Sequence, residues 1–564
     1  MDAPPRRLEK TPSLVPTLCV GTPSAPLCVA SHSLTGRNAE RPDVHSQPEH
    51  GNERRRWICL GVLCAAAMGY FLFFHRLADR DLWSSHEARA GMDAQTMLDD
   101  GAWGLPHLFS GEPELQKPPL YYWLTAIIGW IRGGVDAWAV RLPAAGAAVL
   151  CVVGLTVLGW LRQRPIAGVM AGVVLATAMH FTWLARIGRI DMPLTLTTGL
   201  AVGAVYLARL KGSRAFLWLL LAYTAIAAGV LLKGPIGLVL PAAVIGMHLL
   251  LEGRLPPPWR VRAWLRLIHE LGLWWGALLV LALTLPWFVW ADSATHGDLF
   301  RVFILRHNVE RGLGDGDLKV HPWWFYGPQF ASDFLPWSLL LPVAAVVCWR
   351  RGYWRSDPEA RLGAAWFTAT TLVLSCAAFK RGDYLLPAYP GAALFLGTVF
   401  ANEERRWRPV RPRVVWIGLR LLPCLLAAGM TAGWAAHVDG GLAEEEPFRD
   451  YRRFAAEVRS WAPQPEEVVF FRTEAHALAF HVGRPMTVLV EWSELQTRVI
   501  ESGDRFVVMP EESAGQAPQE LPELRFDEIL RNTDLSGGRH ERPLILLKVA
   551  SRGRSGRSAL AHAP

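Results

Sequence analysis

The chain has 564 residues, 51% of them hydrophobic and only 19% charged, with 26 Trp. That balance excludes an ordinary soluble enzyme of this length. The net charge of +8 does not point to nucleic acid, because the basic residues sit in short clusters between apolar runs, which is the pattern of membrane topology.

Residues 1–56 form a first segment rich in Pro, Ser, Thr and charge. It has no apolar core of the kind a cleavable signal needs. It reads as a disordered cytoplasmic tail, or as sequence upstream of a later start codon. Runs long enough to cross about 30 Å of hydrocarbon follow at 57–74, 138–161, 165–184, 190–208, 215–232, 235–251, 271–291, 335–349, 362–379, 384–401 and 414–436. These predict eleven spans, and thirteen if weak runs are added. The stretch Pro119–Ile131 has only 13 residues, so it is expected to lie in the interface instead of crossing. Six of the Cys (Cys59, Cys64, Cys151, Cys348, Cys376 and Cys424) lie in or beside these runs without paired spacing. They read as small buried residues and not as a disulfide framework or metal site.

Loop charge orients the array. With Arg54, Arg55 and Arg56 cytoplasmic, the inner segments hold 21 Lys and Arg in 55 residues, and the outer segments hold 14 in 123. The positive-inside rule supports this orientation. The expected fold class is thus a polytopic α-helical membrane protein, with a transmembrane domain at 57–436 and a first periplasmic loop at 75–137. Beyond it, 437–550 mixes strand-like runs (Val468–Phe471, Thr487–Val490, Phe506–Met509, Leu544–Val549) with a helical segment at Pro447–Trp461. A small extracytoplasmic α/β domain is expected there, followed by a disordered tail at 551–564.

Charges near membrane depth are unfavourable, so their placement carries information. Glu87 lies in the first outer loop, and Lys117 follows in the same loop within Lys-Pro-Pro-Leu-Tyr-Tyr-Trp. Asp191 opens a span, Lys233 joins two spans, His321 precedes Pro322-Trp323-Trp324, and Lys380 joins the ninth and tenth spans. All six fall on the outer face of the expected topology. Each has a plainer reading as well. Lys233 could be a snorkelling anchor, Asp191 could pair with Arg189, His321 could belong to an aromatic belt, and Glu87 could sit on the solvated face of an amphipathic helix. Taken together, several cations beside carboxylates suit a reaction that expels a phosphate while an incoming hydroxyl is deprotonated.

At these residues the chain resembles the bacterial membrane glycosyltransferases of the GT-C class, related to aminoarabinose transferase and protein O-mannosyltransferase. The ordered series is His86-Glu87-Ala88-Arg89, Trp103 and Pro106, Lys117–Trp123, Val140-Arg141-Leu142-Pro143, Asp191, Lys233-Gly234, His307-Asn308-Val309-Glu310-Arg311, His321–Tyr326, and Lys380-Arg381 through Tyr389-Pro390. The resemblance implies inverting transfer of a sugar from a polyprenyl-phosphate donor to a lipid, glycan or protein acceptor at the periplasmic face of the bacterial inner membrane. It further implies a monomer with no nucleic-acid partner. Glu87, Asp191 and His86 are then the expected catalytic residues, Lys117, Lys233, Lys380 and Arg311 the expected phosphate ligands, and Tyr384, His321 and Arg89 the expected cavity lining. Two positions depart from the family pattern. Its Asp-Glu pair is His86-Glu87 here, and a Glu resembling a metal ligand is replaced by Gln116, so no metal or other cofactor is expected. The rival reading is a transporter or flippase of a lipid-linked substrate, which calls for charges buried mid-span and not gathered at span ends.

Overall fold

The computed structural model describes residues 63–210, 212–310, 320–407, 413–534 and 542–552. The disordered tails expected at 1–56 and 551–564 therefore lie outside the described residues, except for Ser551, which ends the last strand, and Arg552. Helices α1 (Leu63–Phe74), α2 (Ser85–Asp100), α3 (Leu120–Arg132), α4 (Ala137–Leu161), α5 (Pro165–Ala176), α6 (Met179–Ala185), α7 (Asp191–Ala208), α8 (Ala215–Lys233), α9 (Ile236–Leu251), α10 (Val261–Glu270) and α11 (Leu273–Ala294) come first. They are followed by α12 (Tyr326–Asp333), α13 (Leu341–Arg351), α14 (Pro358–Cys376), α15 (Tyr389–Trp407) and α16 (Arg413–Ala436).

Each of the eleven apolar runs carries helix. Among the described residues, however, six helices are long and apolar enough to cross a membrane, or seven if the bent pair α5 and α6 is one span. The difference from eleven has physical causes. α5 and α6 meet at 70°, where Thr177 and Ala178 break the helix. α1 and α9 are short, and the run at 335–349 begins as the single turn Trp337–Leu339 before α13 starts. The short helix expected at 119–131 is present as α3, with Ile127, Trp130 and Ile131 left exposed on it.

Local chemistry sets the helix ends that matter for the site. Ser84 caps α2 by accepting from the His86 N–H, and Gly101 closes that helix at φ 68°. Asp136 caps α4 through the Ala139 N–H. At the α8–α9 turn Gly234 adopts φ 71°, a conformation open to glycine at little steric cost. The two helices then approach closely, and a Cβ on Gly237 would stand 2.2 Å from the Gly229 carbonyl carbon.

The C-terminal part continues with α17 (Leu442–Arg449) and α18 (Tyr451–Trp461), then β1 (Val468–Phe471), α19 (His476–Val482), β2 (Thr487–Leu489), α20 (Trp492–Ser502), β3 (Arg505–Pro510), α21 (Glu511–Glu520), β4 (Leu524–Asp534) and β5 (Arg542–Ser551). The strands form one mixed sheet in the order β2-β1-β3-β5-β4. β1 runs parallel to β2 and β3, and β5 runs antiparallel to β3 and β4. All of β1 is buried because helices cover both faces. Val469, Phe471, Val507 and Ile545 pack with Leu495 and Val499 of α20. Val468, Phe470 and Val508 pack with Phe454 of α18 and Leu478 of α19, and that cluster continues into Ala88 and Met92 of α2. β4 escapes the sequence pattern because Arg525, Asp527, Glu528 and Arg531 fill it with charge. This suits an edge strand that must not pair further.

A Gly237→Leu substitution should destabilise the α8–α9 hairpin by about 1–3 kcal/mol through overpacking. Gly203→Leu, whose Cβ meets nothing within 4 Å, should leave the thermal midpoint of the detergent-solubilised protein in place. Equal midpoints for the two variants would show that the close approach is not a constraint.

Candidate active site

Five separate elements converge on one cleft enclosing about 830 Å³ of space open to solvent. α2 brings His86, the segment before α3 brings Lys117, and the start of α7 brings Asp191 with Arg189 just ahead of it. The end of α8 brings Lys233, and the segment after α14 brings Arg381 and Tyr384. The elements meet because each of these residues stands at a helix end, where side chains of neighbouring elements can point into a shared space.

Asp191 is the electrostatic centre. Lys233 Nζ donates to its Oδ1 at 2.5 Å, and Arg189 Nε lies 3.7 Å from its Oδ2. Arg189 also pairs with Asp383 through Nη1. Asp383 in turn stands 3.5 Å from Arg381 Nη2 and 3.5 Å from His180 Nε2, and Asp333 lies 3.2 Å from His180 Nδ1. Lys233 Nζ sits 4.0 Å from the Tyr384 ring centroid, a cation–π contact that fixes the ammonium against the cleft wall. Lys117 makes no ion pair among the described residues. Burial, opposed by Glu114 and Asp191, brings its ammonium down to about 8. Burial and the cations Lys117, Arg189 and Arg381 hold the His86 imidazole down at about 3, so it is neutral at ordinary pH. Four cations thus face two carboxylates, and both carboxylates are already engaged. Such a surplus is chemically suited to an anion.

The placement of Glu87 corrects its expected role. It is fully buried and lies behind the cleft wall. Its Oε1 accepts from Arg141 Nε at 2.7 Å and from the Gly188 N–H at 2.9 Å. Its Oε2 accepts from Arg141 Nη2 at 3.2 Å and faces Arg80 Nη1 at 3.7 Å. Burial pushes the carboxyl up, but Arg141 and Arg80 outweigh it and hold it at about 2. Arg141 spends its other N–H groups on the carbonyls of Leu77, Arg80 and Asp81, and Arg80 donates to the Arg186 carbonyl. Glu87 is therefore enclosed behind the cleft wall and, through the Gly188 N–H, tied to the turn that carries Arg189. Gly188 is required in that turn, since a Cβ there would stand 2.5 Å from Val140 Cγ1.

Three further expectations are corrected. Lys380 is buried and donates to the carbonyls of His321 and Ala377, which turns it away from the cleft that its neighbour Arg381 enters. The His321 ring packs on Phe325 at 4.4 Å and does not line the cleft. Arg89 donates to Glu114 at 2.7 Å, and Glu114 accepts from the Gln116 N–H at 2.8 Å, so Arg89 braces the segment bearing Lys117 from outside. Arg311 lies outside the described residues. His86, Lys117, Asp191, Lys233 and Tyr384 do come together as expected. Sequence reasoning passed over Arg189 and Arg381 as cleft cations, and over Arg141 and Asp383 as their supports. The signal was present in Arg189-Ile-Asp191 and in the dibasic Lys380-Arg381, but spacing alone could not say which member faces inward.

The C-terminal domain secures α2 from the far side. His481 Nε2 lies 2.7 Å from Asp81 Oδ1, and Glu446 accepts from the Asp81 N–H and from Trp83 Nε1 at 2.6 and 2.7 Å. The Met486 N–H donates to the Phe109 carbonyl at 3.0 Å.

Residues 116–290 match the family described as dolichyl-phosphate-mannose-protein mannosyltransferase. The chain is 30% identical over 371 residues to undecaprenyl phosphate-alpha-4-amino-4-deoxy-L-arabinose arabinosyl transferase 1 of Pseudomonas fluorescens, covering 63% of this chain and 60% of that one. It is 29% identical over 404 residues to the enzyme of that name from Pseudomonas aeruginosa, covering 70% and 68%. The chain thus spans about 60% of the length of the first curated relatives it matches. The fold is similar to that of ArnT from Cupriavidus metallidurans bound to undecaprenyl phosphate, with a TM-score of 0.68 at 18% identity, over 87% of this chain and 98% of that one. The resemblance to GT-C membrane glycosyltransferases read from the motif order holds.

Breaking the buried pair with Glu87→Gln should lower stability by about 3–5 kcal/mol, because Arg141 and Arg80 lose their counter-charge. Thermal unfolding in detergent checks this, and an unchanged midpoint would return Glu87 to the list of reacting groups.

Proposed function

We propose that this chain is a multi-pass inner-membrane enzyme that transfers a sugar from a polyprenyl-phosphate carrier to an acceptor at the periplasmic face. The observation that carries the reading is the cation surplus at Lys117, Arg189, Lys233 and Arg381, gathered at helix ends around Asp191. The names of the curated relatives, undecaprenyl-phosphate-linked arabinosyl transferases, support a phosphate-linked donor, and they do not favour a transporter.

In this mechanism an acceptor oxygen attacks the anomeric carbon from the side opposite the carrier phosphate. The bond from that carbon to the phosphate oxygen breaks, and the phosphate leaves with the electron pair. Lys117, Lys233, Arg189 and Arg381 stabilise the charge growing on the leaving group, where preorganised cations act most strongly. Asp191 holds Lys233 and Arg189 in register. Tyr384 keeps the Lys233 ammonium at the wall through the contact described above. His86 contributes a neutral imidazole that can hydrogen-bond the acceptor.

The engaged state of Asp191, Asp383 and Glu87 bears on the acceptor. Asp191 is held by Lys233, Asp383 by Arg189, and Glu87 by Arg141. A hydroxyl acceptor would need a base, and a His86 imidazole at about 3 is a weak one. An acceptor oxygen already ionised, as on a phosphate ester, needs none and complements the cations.

Purified full-length protein incubated with a radiolabelled polyprenyl-phosphate sugar and bacterial membrane lipids tests the reading directly, and absence of label transfer to any acceptor would overturn it. Phosphatase treatment of the acceptor lipids should reduce transfer at least about tenfold if an ionised oxygen is the nucleophile. Undiminished transfer would favour a hydroxyl.

Lys117→Met should lower kcat/KM by about 10²–10³-fold. The charged ammonium is the form that binds phosphate, so kcat/KM for the native enzyme should be flat below about pH 7 and fall as pH passes about 8. A bound phosphate raises the ammonium's proton affinity, so kcat should fall at higher pH than kcat/KM. The alkaline limb should vanish in Lys117→Met, and its persistence would assign it to another group.

A further inference from the structure

Helix α10 (Val261–Glu270) has no buried residue. It lies at the end of the molecule away from the cleft. α9 starts beside Lys233 and runs 16 residues away from it, about 24 Å at 1.5 Å per residue. α11 then returns and brings Trp287 Nε1 to the Gly104 carbonyl, 2.7 Å away in the loop after α2.

The sequence of α10 is strongly amphipathic. Val261, Trp264, Leu265 and Ile268 recur at three- and four-residue spacing and form one apolar stripe. Arg262, Arg266 and His269 line one flank of it. The protein covers only part of the stripe: Trp264 and Ile268 are half-buried, beside Leu267, which packs near Tyr223 and Leu271. Val261 is 64% exposed, Leu265 59%, and Trp259 just ahead of the helix 79%. A ten-residue helix is too short to persist in water on its own propensity, so the open part of its stripe calls for another apolar partner.

Charge identifies that partner. Arg254, Arg260, Arg262 and Arg266 stand against Glu252 and Glu270, and Glu252 is already engaged by Arg209 at 2.7 Å. An exposed apolar stripe with Trp at its edge and arginines flanking it suits a surface that is apolar below and anionic above. We infer that α10 lies in the headgroup layer of the leaflet opposite the cleft and binds anionic phospholipid headgroups through Arg260, Arg262 and Arg266. This rests on reading the chain as membrane-spanning and is independent of sugar transfer.

Hydrogen exchange of the full chain in lipid nanodiscs tests it without any donor or acceptor. Amides of 261–270 should exchange about tenfold more slowly in phosphatidylglycerol discs than in phosphatidylcholine discs. The R260S/R262S/R266S variant should lose that difference, while exchange in α8 and α9 stays unchanged. In native mass spectrometry from neutral detergent, the same variant should retain bound phosphatidylglycerol at least about tenfold more weakly. V261S/L265S keeps the charge and removes the apolar contact, so it should lose protection in both discs. Equal protection of 261–270 in the two lipids, or protection unaltered in the arginine variant, would overturn the inference. Absence of protection in both discs would also overturn it and leave this face to a protein partner.

Discussion

The buried pair between Glu87 and Arg141 is the constraint on which the cleft depends. Neither side chain is exposed, and a buried ion pair is tolerated only when its remaining lone pairs and protons are satisfied. Here they are satisfied by the backbone. Arg141 takes the carbonyls of Leu77, Arg80 and Asp81, and Glu87 takes the Gly188 N–H. One pair therefore ties the loop ahead of α2, the first turns of α4 and the turn between α6 and α7. The last of these delivers Arg189 and Asp191, so the charges of the cleft are placed by a charge buried behind its wall.

A second arrangement offsets the repulsion among the cations of the cleft. Asp191 and Asp383 are spaced along a line of positive groups, with Lys233 and Arg189 on the first and Arg189, Arg381 and His180 around the second. Alternation of sign lets four cations share one low-dielectric space at an acceptable electrostatic cost. Lys117 stands outside that alternation, with no ion pair among the described residues, and burial lowers its proton affinity. The C-terminal domain contributes stiffness to the same region. Its α18 and α19 lie between the sheet and α2, and Phe480 packs so tightly on Gly91 that a Cβ there would come within 2.9 Å of its ring.

The sequence alone determined where helices form, because long apolar runs have no other stable arrangement in hydrocarbon. It also brought the right helix ends to attention, since charge at the end of an apolar run is unfavourable wherever it is not used. Four of the five strands were legible from β-branched and aromatic runs, while β4 was hidden because an exposed edge selects for charge and not for hydrophobicity. What only the tertiary structure decided was the direction of each charged side chain. Glu87 and His86 are neighbours, and so are Lys380 and Arg381, yet one of each pair enters the cleft and the other is consumed by backbone or by a buried partner. Adjacent residues on a helix or turn point about 100° apart, and which direction faces the cavity depends on packing between elements distant in sequence. A motif can therefore name the neighbourhood of the chemistry without naming the atom that performs it.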